Sequence, residues 1–400
     1  MKLAREVVIV DYLRSGFSRS RPKDPGKDQL NSWRMDDLAG KLMSEIVRRT
    51  KINPDEIDEC IVGTADPYLE TYTGGGRFPL LLGKLPVSIA SQQVDSACAS
   101  SFNGVRTAAM SIACSYADII LICGIEHMSR VPMPGAGPGA VIPEKLFKDP
   151  EYKHLDQANV VSMGLTAEKL LSKTTFTRED MDKWAVRSHQ LTAQGQKEGF
   201  FKDEIMPVEI TLEDGSKQVF DYDACVRADV TVEALGALKP AFKAGGQITA
   251  GNSSPMNAGA TAMLMMSREK AEKLGLKPMA SMISFGVAGV EPSVMGEGPV
   301  PATHKALKNA GMKIGDIDYF EINEAFSVVT LNAIKVLGLN PDTVNIHGGA
   351  LAIGHPLGAS GVRLIGTLAR ILQQKGATYG SASLCAGFGQ GSACIIKKEG

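Results

Sequence analysis

The sequence predicts an α/β protein with two similar halves around a largely parallel, covered sheet and a long inserted segment between them. Three observations carry that expectation. Strand-like apolar runs alternate with segments of helical spacing. Three motifs recur in the same order in the two halves of the chain. The stretch between them has a loop-rich composition of its own.

Taken in chain order, Val7 to Asp11 reads as a buried strand, Asp36 to Arg49 has helical spacing, and Asp58 to Gly63 reads as a second strand. The segment Asn53-Pro-Asp-Glu-Ile-Asp-Glu-Cys-Ile-Val-Gly is echoed by Gly315-Asp-Ile-Asp-Tyr-Phe-Glu-Ile-Asn. Asn103-Gly-Val-Arg is echoed by Ser360-Gly-Val-Arg, and Ile120-Leu-Ile-Cys-Gly by Ala382-Ser-Leu-Cys-Ala-Gly. A spacing of roughly 260 residues describes a duplicated half, since solenoid repeats are far shorter. Between the halves, Pro132, Pro134, Pro138 and Pro143 fall among many glycines, which is loop composition. Thr166 to Gly199 then reads as helical, with Thr177-Arg-Glu-Asp as an N-terminal cap. The expected division is a first half at 1–125 with 252–275 returning to it, an inserted loop domain at 126–251, and a second half at 276–400.

Length and composition exclude several classes. A chain of 400 residues, 44% hydrophobic and 22% charged, can bury two cores. A formal net charge of −1 gives no general attraction to nucleic acid or an anionic membrane. No apolar run approaches the ~18 residues of a membrane span. The start, Met1-Lys-Leu-Ala-Arg, lacks the pattern of a secretory signal, so a cytoplasmic location is expected. The seven cysteines, Cys60, Cys98, Cys114, Cys123, Cys225, Cys385 and Cys394, are odd in number and lack CxxC spacing. That argues against a disulfide framework and against a metal site, and leaves most of them as small buried residues.

Two cysteines stand out by their neighbours. Cys98, in Val94-Asp-Ser-Ala-Cys-Ala-Ser-Ser, sits where a strand-like segment meets a helical pattern. A helix N-terminus carries roughly half a positive charge, and a thiol with a free pKa near ~8.5 can fall below 7.5 beside it. Cys385 ends a strand-like run and opens the glycine turn Ala-Gly-Phe-Gly, whose amides could face an oxyanion. His355 lies in the glycine-dense Gly348-Gly-Ala-Leu-Ala-Ile-Gly-His-Pro-Leu-Gly, ahead of a helix from Val362 to Leu372. His347 has no partner at metal-ligand spacing and reads either as structural or as a support for the residues that touch substrate. Asn323-Glu-Ala-Phe follows the strand Tyr319 to Ile322 and opens the next helix, where a helix cap is the plain reading.

These four blocks, in this order and nearly end to end, resemble the thiolases, whose hallmarks are a nucleophile segment, NEAF, GGAxxxGHPxGxSG and CxGxGxG. Met163-Gly-Leu-Thr-Ala-Glu, Leu238-Lys-Pro-Ala-Phe and Thr249-Ala-Gly-Asn-Ser-Ser extend the likeness. The resemblance implies two βαβαβαββ halves packed as α/β/α/β/α layers with an inserted loop domain. It implies that Cys98 is the acylated nucleophile, His355 the base that activates it, and Cys385 the acid/base at the α-carbon of acetyl-CoA. Asn323 would hold a water that forms one oxyanion hole with His355, and the amides of Cys98 and Gly387 would form the other. Arg227, Ser254, Ala250, Ala325, Phe326 and Met163 would line the CoA channel.

The resemblance further implies coenzyme A as a substrate with no tightly bound cofactor, and a homodimer or homotetramer. It extends to association with a hydratase/dehydrogenase of fatty acid β-oxidation. The chain departs from the family at Arg14-Ser-Gly, at Ser162, where the short-chain branch often has His, and at Ala386-Gly-Phe-Gly, where glycines are usual. Ser162-Met-Gly-Leu-Thr-Ala-Glu and Arg130-Val-Pro-Met resemble the degradative branch more than the acetoacetyl-CoA branch, which implies 3-ketoacyl-CoA thiolysis over acetoacetyl-CoA synthesis. A decarboxylating ketoacyl synthase would pair its cysteine with two histidines, and here the C-terminal partner is Cys385. A non-catalytic acyl-CoA or lipid-binding scaffold would lack one of Cys98, His355 and Cys385. Nucleotide-binding glycine motifs are absent from the sequence.

Overall fold

The computed structural model describes residues 4–131, 133 and 143–399. Its strands are β1 (Val7–Arg14), β2 (Glu59–Gly63), β3 (Ala90–Val94), β4 (Ile119–His127), β5 (Val208–Thr211), β6 (Lys217–Phe220), β7 (Ala258–Ser267), β8 (Ala280–Gly289), β9 (Tyr319–Ile322), β10 (Tyr379–Ala386) and β11 (Gln390–Lys398). Nine of them follow the order β3-β2-β4-β7-β1-β8-β11-β10-β9, and β5 pairs with β6. The link between β1 and β8 is only Val8 with Ser281 and Ile9 with Ala280. On each side of it the arrangement is the same. β7 runs antiparallel between β4 and β1, as β11 does between β10 and β8, while β2 joins β4 and β9 joins β10 in parallel. The sheet is therefore mixed, not largely parallel, because the last strand of each half turns back between two earlier ones.

One carboxylate in each half shows the duplication atom by atom. Asp58 Oδ2 accepts the backbone N–H groups of Asp118 (2.7 Å) and Ile119 (3.0 Å). Asp318 Oδ2 accepts those of Thr378 (2.9 Å) and Tyr379 (2.8 Å). Ile120 pairs with Glu59 as Gly380 pairs with Tyr319. This register makes Ser383 the counterpart of Cys123, so the echo between Cys123 and Cys385 is two residues out of step.

The layers follow from burial. Every residue of β1, β4 and β7 is buried, which requires cover on both faces. Val7, Ile9 and Tyr12 of β1 enter the central core while Val8, Val10 and Leu13 enter the outer one. The alternation of period two is offset by the bulge between Ile9 and Asp11. The Ser100–Ala113 and Ser360–Lys375 helices lie in the centre against each other. Gly361 makes that approach possible, since a Cβ there would stand 2.1 Å from the Phe102 nitrogen. The Met35–Thr50 helix covers the outer face at β1, β4 and β7 through Leu38, Ala39, Leu42, Met43 and Ile46, one apolar stripe. The Pro299–Ala310 helix covers β8 and β11. The result is the expected α/β/α/β/α stack.

Between β4 and β7 the chain leaves the sheet and returns. The expected helix from Thr166 to Gly199 is two, Met163–Ser172 and Arg178–Glu198, the second opened by a reciprocal capping box between Thr177 and Asp180. Pro132, Pro134 and Pro138 lie outside the described residues. Arg14 ties this excursion to the core. Its buried guanidinium donates to Glu204 Oε1 (2.7 Å) and to both Asp223 oxygens (2.6 and 2.9 Å) and lies over the Phe17 and Phe201 rings. Gly16 stands nearby because a Cβ would meet the Tyr222 carbonyl oxygen at 2.2 Å, a local reason for the Arg14-Ser-Gly departure.

Candidate active site

β3 ends at Val94 and the next helix begins at Ser100, so Cys98 occupies the turn between them. Asp95 Oδ1 accepts the Ala97 N–H (2.9 Å), while Ser100 Oγ accepts the Ser96 N–H (2.9 Å) and donates to the Ala97 carbonyl (2.6 Å). These bonds hold Ala97 at φ 49, a left-handed conformation that costs an alanine about 1 kcal/mol or more. The turn delivers Cys98 into the interior at 9% exposure. Its thiol is pushed up to about 12, first by burial, against a Gly387 amide that faces the sulfur, and further by the charges of Glu126 and Asp66. The expected lowering at the helix N-terminus is thus overruled by desolvation, and the resting group is a neutral thiol.

His355 is held at three points. Its backbone N–H donates to Asn257 Oδ1 (2.8 Å), and Gly354 before it, at φ 113, has no room for a Cβ beside the Asn257 amide. Nδ1 lies 2.6 Å from Ser360 Oγ, whose own hydrogen goes to the Pro356 carbonyl (2.9 Å). Ser360 must therefore accept, so Nδ1 carries the ring hydrogen and Nε2 is a bare acceptor. Burial, and then Arg363, pull the imidazole down to about 3, which keeps it neutral. Asn323 Nδ2 faces Nε2 at 3.2 Å, and Asn323 Oδ1 is left buried without a partner. The adjacent helix begins only at Ser327 with Phe326 as its N-cap, so Asn323 is not a helix cap.

The second cysteine completes the cluster. Asn323 N–H donates to the Ser383 carbonyl (2.9 Å), two residues before Cys385 on β10. Cys385 is fully buried, and burial followed by the neighbouring Cys98 pushes its thiol well above the usual range. The turn beyond it places Phe388 at φ 64 and Gly389 at φ 82, so a phenylalanine takes a backbone conformation that favours glycine.

Around this centre the structure gathers four of the six expected channel residues. Ser254 N–H donates to the Ala325 carbonyl (3.0 Å), and Ser253 bridges to Phe326. Met163, Ala325, Phe326 and Cys385 share one apolar cluster, and a Cβ on Gly387 would meet Met163 Sδ at 3.6 Å. Arg227 and Ala250 instead lie on the surface. The Arg227 backbone N–H donates to His189 Nδ1 (3.2 Å). His347, as expected, is structural: it stacks on Phe200 at 3.8 Å and bonds Gln374 (2.8 Å).

Sequence reasoning missed the groups that fix this geometry. Glu324 accepts from Trp184 Nε1 (2.9 Å), Ser188 Oγ (2.7 Å), Asn345 Nδ2 (2.9 Å) and the Leu351 N–H (3.1 Å), clamping the Arg178–Glu198 helix to the Asn323 and His355 loops. The available signal was its place beside Asn323. Ser360 is marked as the serine of the GHPxGxSG block, while Glu126 and Asn257 carry no comparable mark. Among the described residues, no group of three or more His, Cys, Asp or Glu could hold a metal ion, and no helix is long and apolar enough to cross a membrane.

Two family descriptions match the chain: "Thiolase, N-terminal domain" over residues 7–269 and "Thiolase, C-terminal domain" over residues 276–398. Solved structures agree over the full length. The Bacillus anthracis acetyl-CoA acetyltransferase is 32% identical, with 100% of each chain covered and a TM-score of 0.87. Human mitochondrial 3-ketoacyl-CoA thiolase is 32% identical, covering 99% of this chain and 100% of that one at TM-score 0.87. The same human protein in complex with CoA matches at 32% identity and TM-score 0.87, covering 100% and 99%.

Proposed function

The chain belongs to the thiolase family and is an acyltransferase, and we propose that it cleaves 3-ketoacyl-CoA with CoA through an acyl group on Cys98. The observation that carries this reading is that a Gly387 amide faces the Cys98 sulfur with Cys385 as its neighbour, while His355, its Nε2 bare of hydrogen, lies against Asn323, whose N–H is bonded to the Ser383 carbonyl on the strand of Cys385. His355 Nε2 takes the Cys98 proton as the sulfur attacks the 3-keto carbon. The bond between C2 and C3 breaks, and Cys385 protonates the departing enolate to give acetyl-CoA. The CoA thiol then gives its proton to the Cys385 thiolate and attacks acyl-Cys98, whose departing sulfur takes its proton back from His355, and the shortened acyl-CoA leaves.

Starting from a neutral thiol and a neutral imidazole, the proton transfer belongs to the attack itself. The Cys98 and Gly387 amides stabilise the oxyanion on the acyl side. The unpartnered Asn323 Oδ1 supports a water that serves the thioester oxygen together with His355. Arg227, exposed, suits the charged nucleotide end of CoA, while Ser254, Ala250, Ala325, Phe326 and Met163 serve its pantetheine arm.

The half-buried Ser162, small beside Met163, supports acyl chains longer than acetoacetyl. Synthesis of acetoacetyl-CoA is the second reading, supported by the likeness to the Bacillus anthracis acetyl-CoA acetyltransferase. We take residues 126–251 as a substrate domain inserted in the first half, 1–125 with 252–275, and 276–400 as the second half. Leu69, Tyr72, Phe78, Leu81, Leu82 and Val87 are exposed apolar groups on the chain leading to edge strand β3, and they support a homodimer through that face. Mass spectrometry after mixing with acetyl-CoA should find an acetyl group on Cys98. Each methylene in an apolar pocket is worth roughly 1–3 kcal/mol, so kcat/KM should rise from C4 to C8 substrates. A maximum at acetoacetyl-CoA would reverse the choice between the two readings.

A further inference from the structure

Glu126 is the next-to-last residue of β4, at 1% exposure, and lies behind the nucleophile. Its Oε2 accepts two backbone N–H groups, from Ala65 (2.9 Å) and from Gly358 (2.9 Å), and Oε1 accepts the Thr64 hydroxyl (3.4 Å). Ala65 follows β2 in the first half. Gly358 belongs to the second half and lies three residues after His355. The approach is close: a Cβ on Gly358 would stand 2.5 Å from the Ile125 carbonyl oxygen, and one on Gly124 would stand 2.5 Å from the Gly358 oxygen. Glu126 is thus a polar bond across the seam where the loop carrying His355 meets the sheet that carries Cys98.

We propose that Glu126 is a positioning residue for the reaction: it pins the His355 loop to the nucleophile's half and fixes the charge behind the Cys98 sulfur. The first role follows from the two amides on one oxygen. The second follows from its neighbours. The titratable groups that interact with it are Asp66, Tyr68 and Cys98, with Asp95 acting on Asp66. Asp66 is buried, and its Oδ2 has no hydrogen-bond partner. Two carboxyl groups in such a place resist joint ionisation. Burial, and then Asp66, raise Glu126 to about 8, while burial, and then Asp95, raise Asp66 to about 7. Protonated, the pair leaves the sulfur free to ionise as it attacks; ionised, it opposes that step. The proposal rests on Cys98 as nucleophile.

Two variants separate the roles. Glu126→Gln can keep its carbonyl oxygen on both amides while losing the charge, and Glu126→Ala loses both. The readouts are steady-state kinetics with acetyl-CoA, the pH profile of Cys98 alkylation by iodoacetamide mapped by peptide mass, and thermal melting. Glu126→Gln should keep kcat within about threefold and move the alkylation midpoint to lower pH. Glu126→Ala should lower kcat at least tenfold with KM little changed. If Glu126→Ala does not fold, the alkylation profile of Glu126→Gln decides alone, and an unmoved midpoint overturns the proposal. Lowered melting temperatures with kcat and midpoint unmoved would make Glu126 a structural anchor only, which also overturns it. Acetyl found on a residue other than Cys98 in the unsubstituted protein would sink the nucleophile assignment and this proposal together. Cys98 acetylated at an unchanged rate in Glu126→Ala would sink this one alone.

Discussion

Gly358→Ala tests how finely the His355 loop must be placed. The added methyl would lie 2.5 Å from the Ile125 oxygen, 2.6 Å from Thr64 Cα and 2.9 Å from the Gly63 oxygen, all backbone atoms at the ends of β2 and β4. No side chain can rotate away, so the loop must retreat by about 0.9 Å to reach the ordinary contact distance of 3.4 Å. A displacement of about 1 Å at a reacting group costs roughly 100-fold, or about 2.7 kcal/mol of transition-state stabilisation. Overpacking should lower stability by about 1–3 kcal/mol besides. The Gly358 N–H also leaves Glu126 Oε2, at 2.9 Å before the change.

Stopped-flow release of CoA from acetyl-CoA measures acylation directly, and urea unfolding measures the stability term. Gly315→Ala is the control, because nothing lies within 4 Å of its Cβ position. A Gly358→Ala protein that is destabilised as expected yet acylates within threefold of the unsubstituted rate would refute the claim that the loop's position sets the rate.

Two further outcomes follow from the same geometry. Asp58→Asn and Asp318→Asn each disturb a carboxylate that accepts two adjacent amides, so each should cost about 1–2 kcal/mol in urea unfolding, the two values agreeing within about 0.5; unequal costs would mean that the halves are not energetic equivalents. His355 is depressed from 6.5 to about 3, so its contribution is present above pH 6.5 and is lost as pH falls toward 3. The stability gap between the unsubstituted protein and His355→Gln should therefore shift against the unsubstituted protein between pH 7 and pH 4, and a pH-independent gap would contradict the buried neutral ring.

What could be read in advance was local. β9 appears at Tyr319–Ile322 as expected, and the Met35–Thr50 helix lies within a residue or two of its apolar spacing, because period and caps are written in neighbouring residues. The four blocks carrying Cys98, Asn323, His355 and Cys385 were legible for the same reason. The Cys123 echo failed because matching letters do not set register; the amide-binding Asp58 and Asp318 do. The state of the Cys98 thiol was misread because helix proximity is local, whereas the desolvation that outweighs it comes from the assembled core. Glu126 was invisible since its partner Gly358 lies 232 residues away, and a Glu-His pair at a strand end reads as the strand's exit to solvent.

The paired central helices bear on how this enzyme can change. Cys98 stands in the turn that enters one of them and His355 in the turn that enters the other, so one architectural slot, copied, holds the proposed nucleophile in one instance and the proposed base in the other. On the proposed function the chemistry depends on the distance between them, and Gly361 against Phe102 sets how near the copies stand. If the excursion after β4 supplies the pocket walls, as proposed, they can drift without altering that distance. A side chain enlarged at the helix contact is expected to change that distance first. Acceptance of new substrates and retention of the reaction are thereby written in separate parts of one chain.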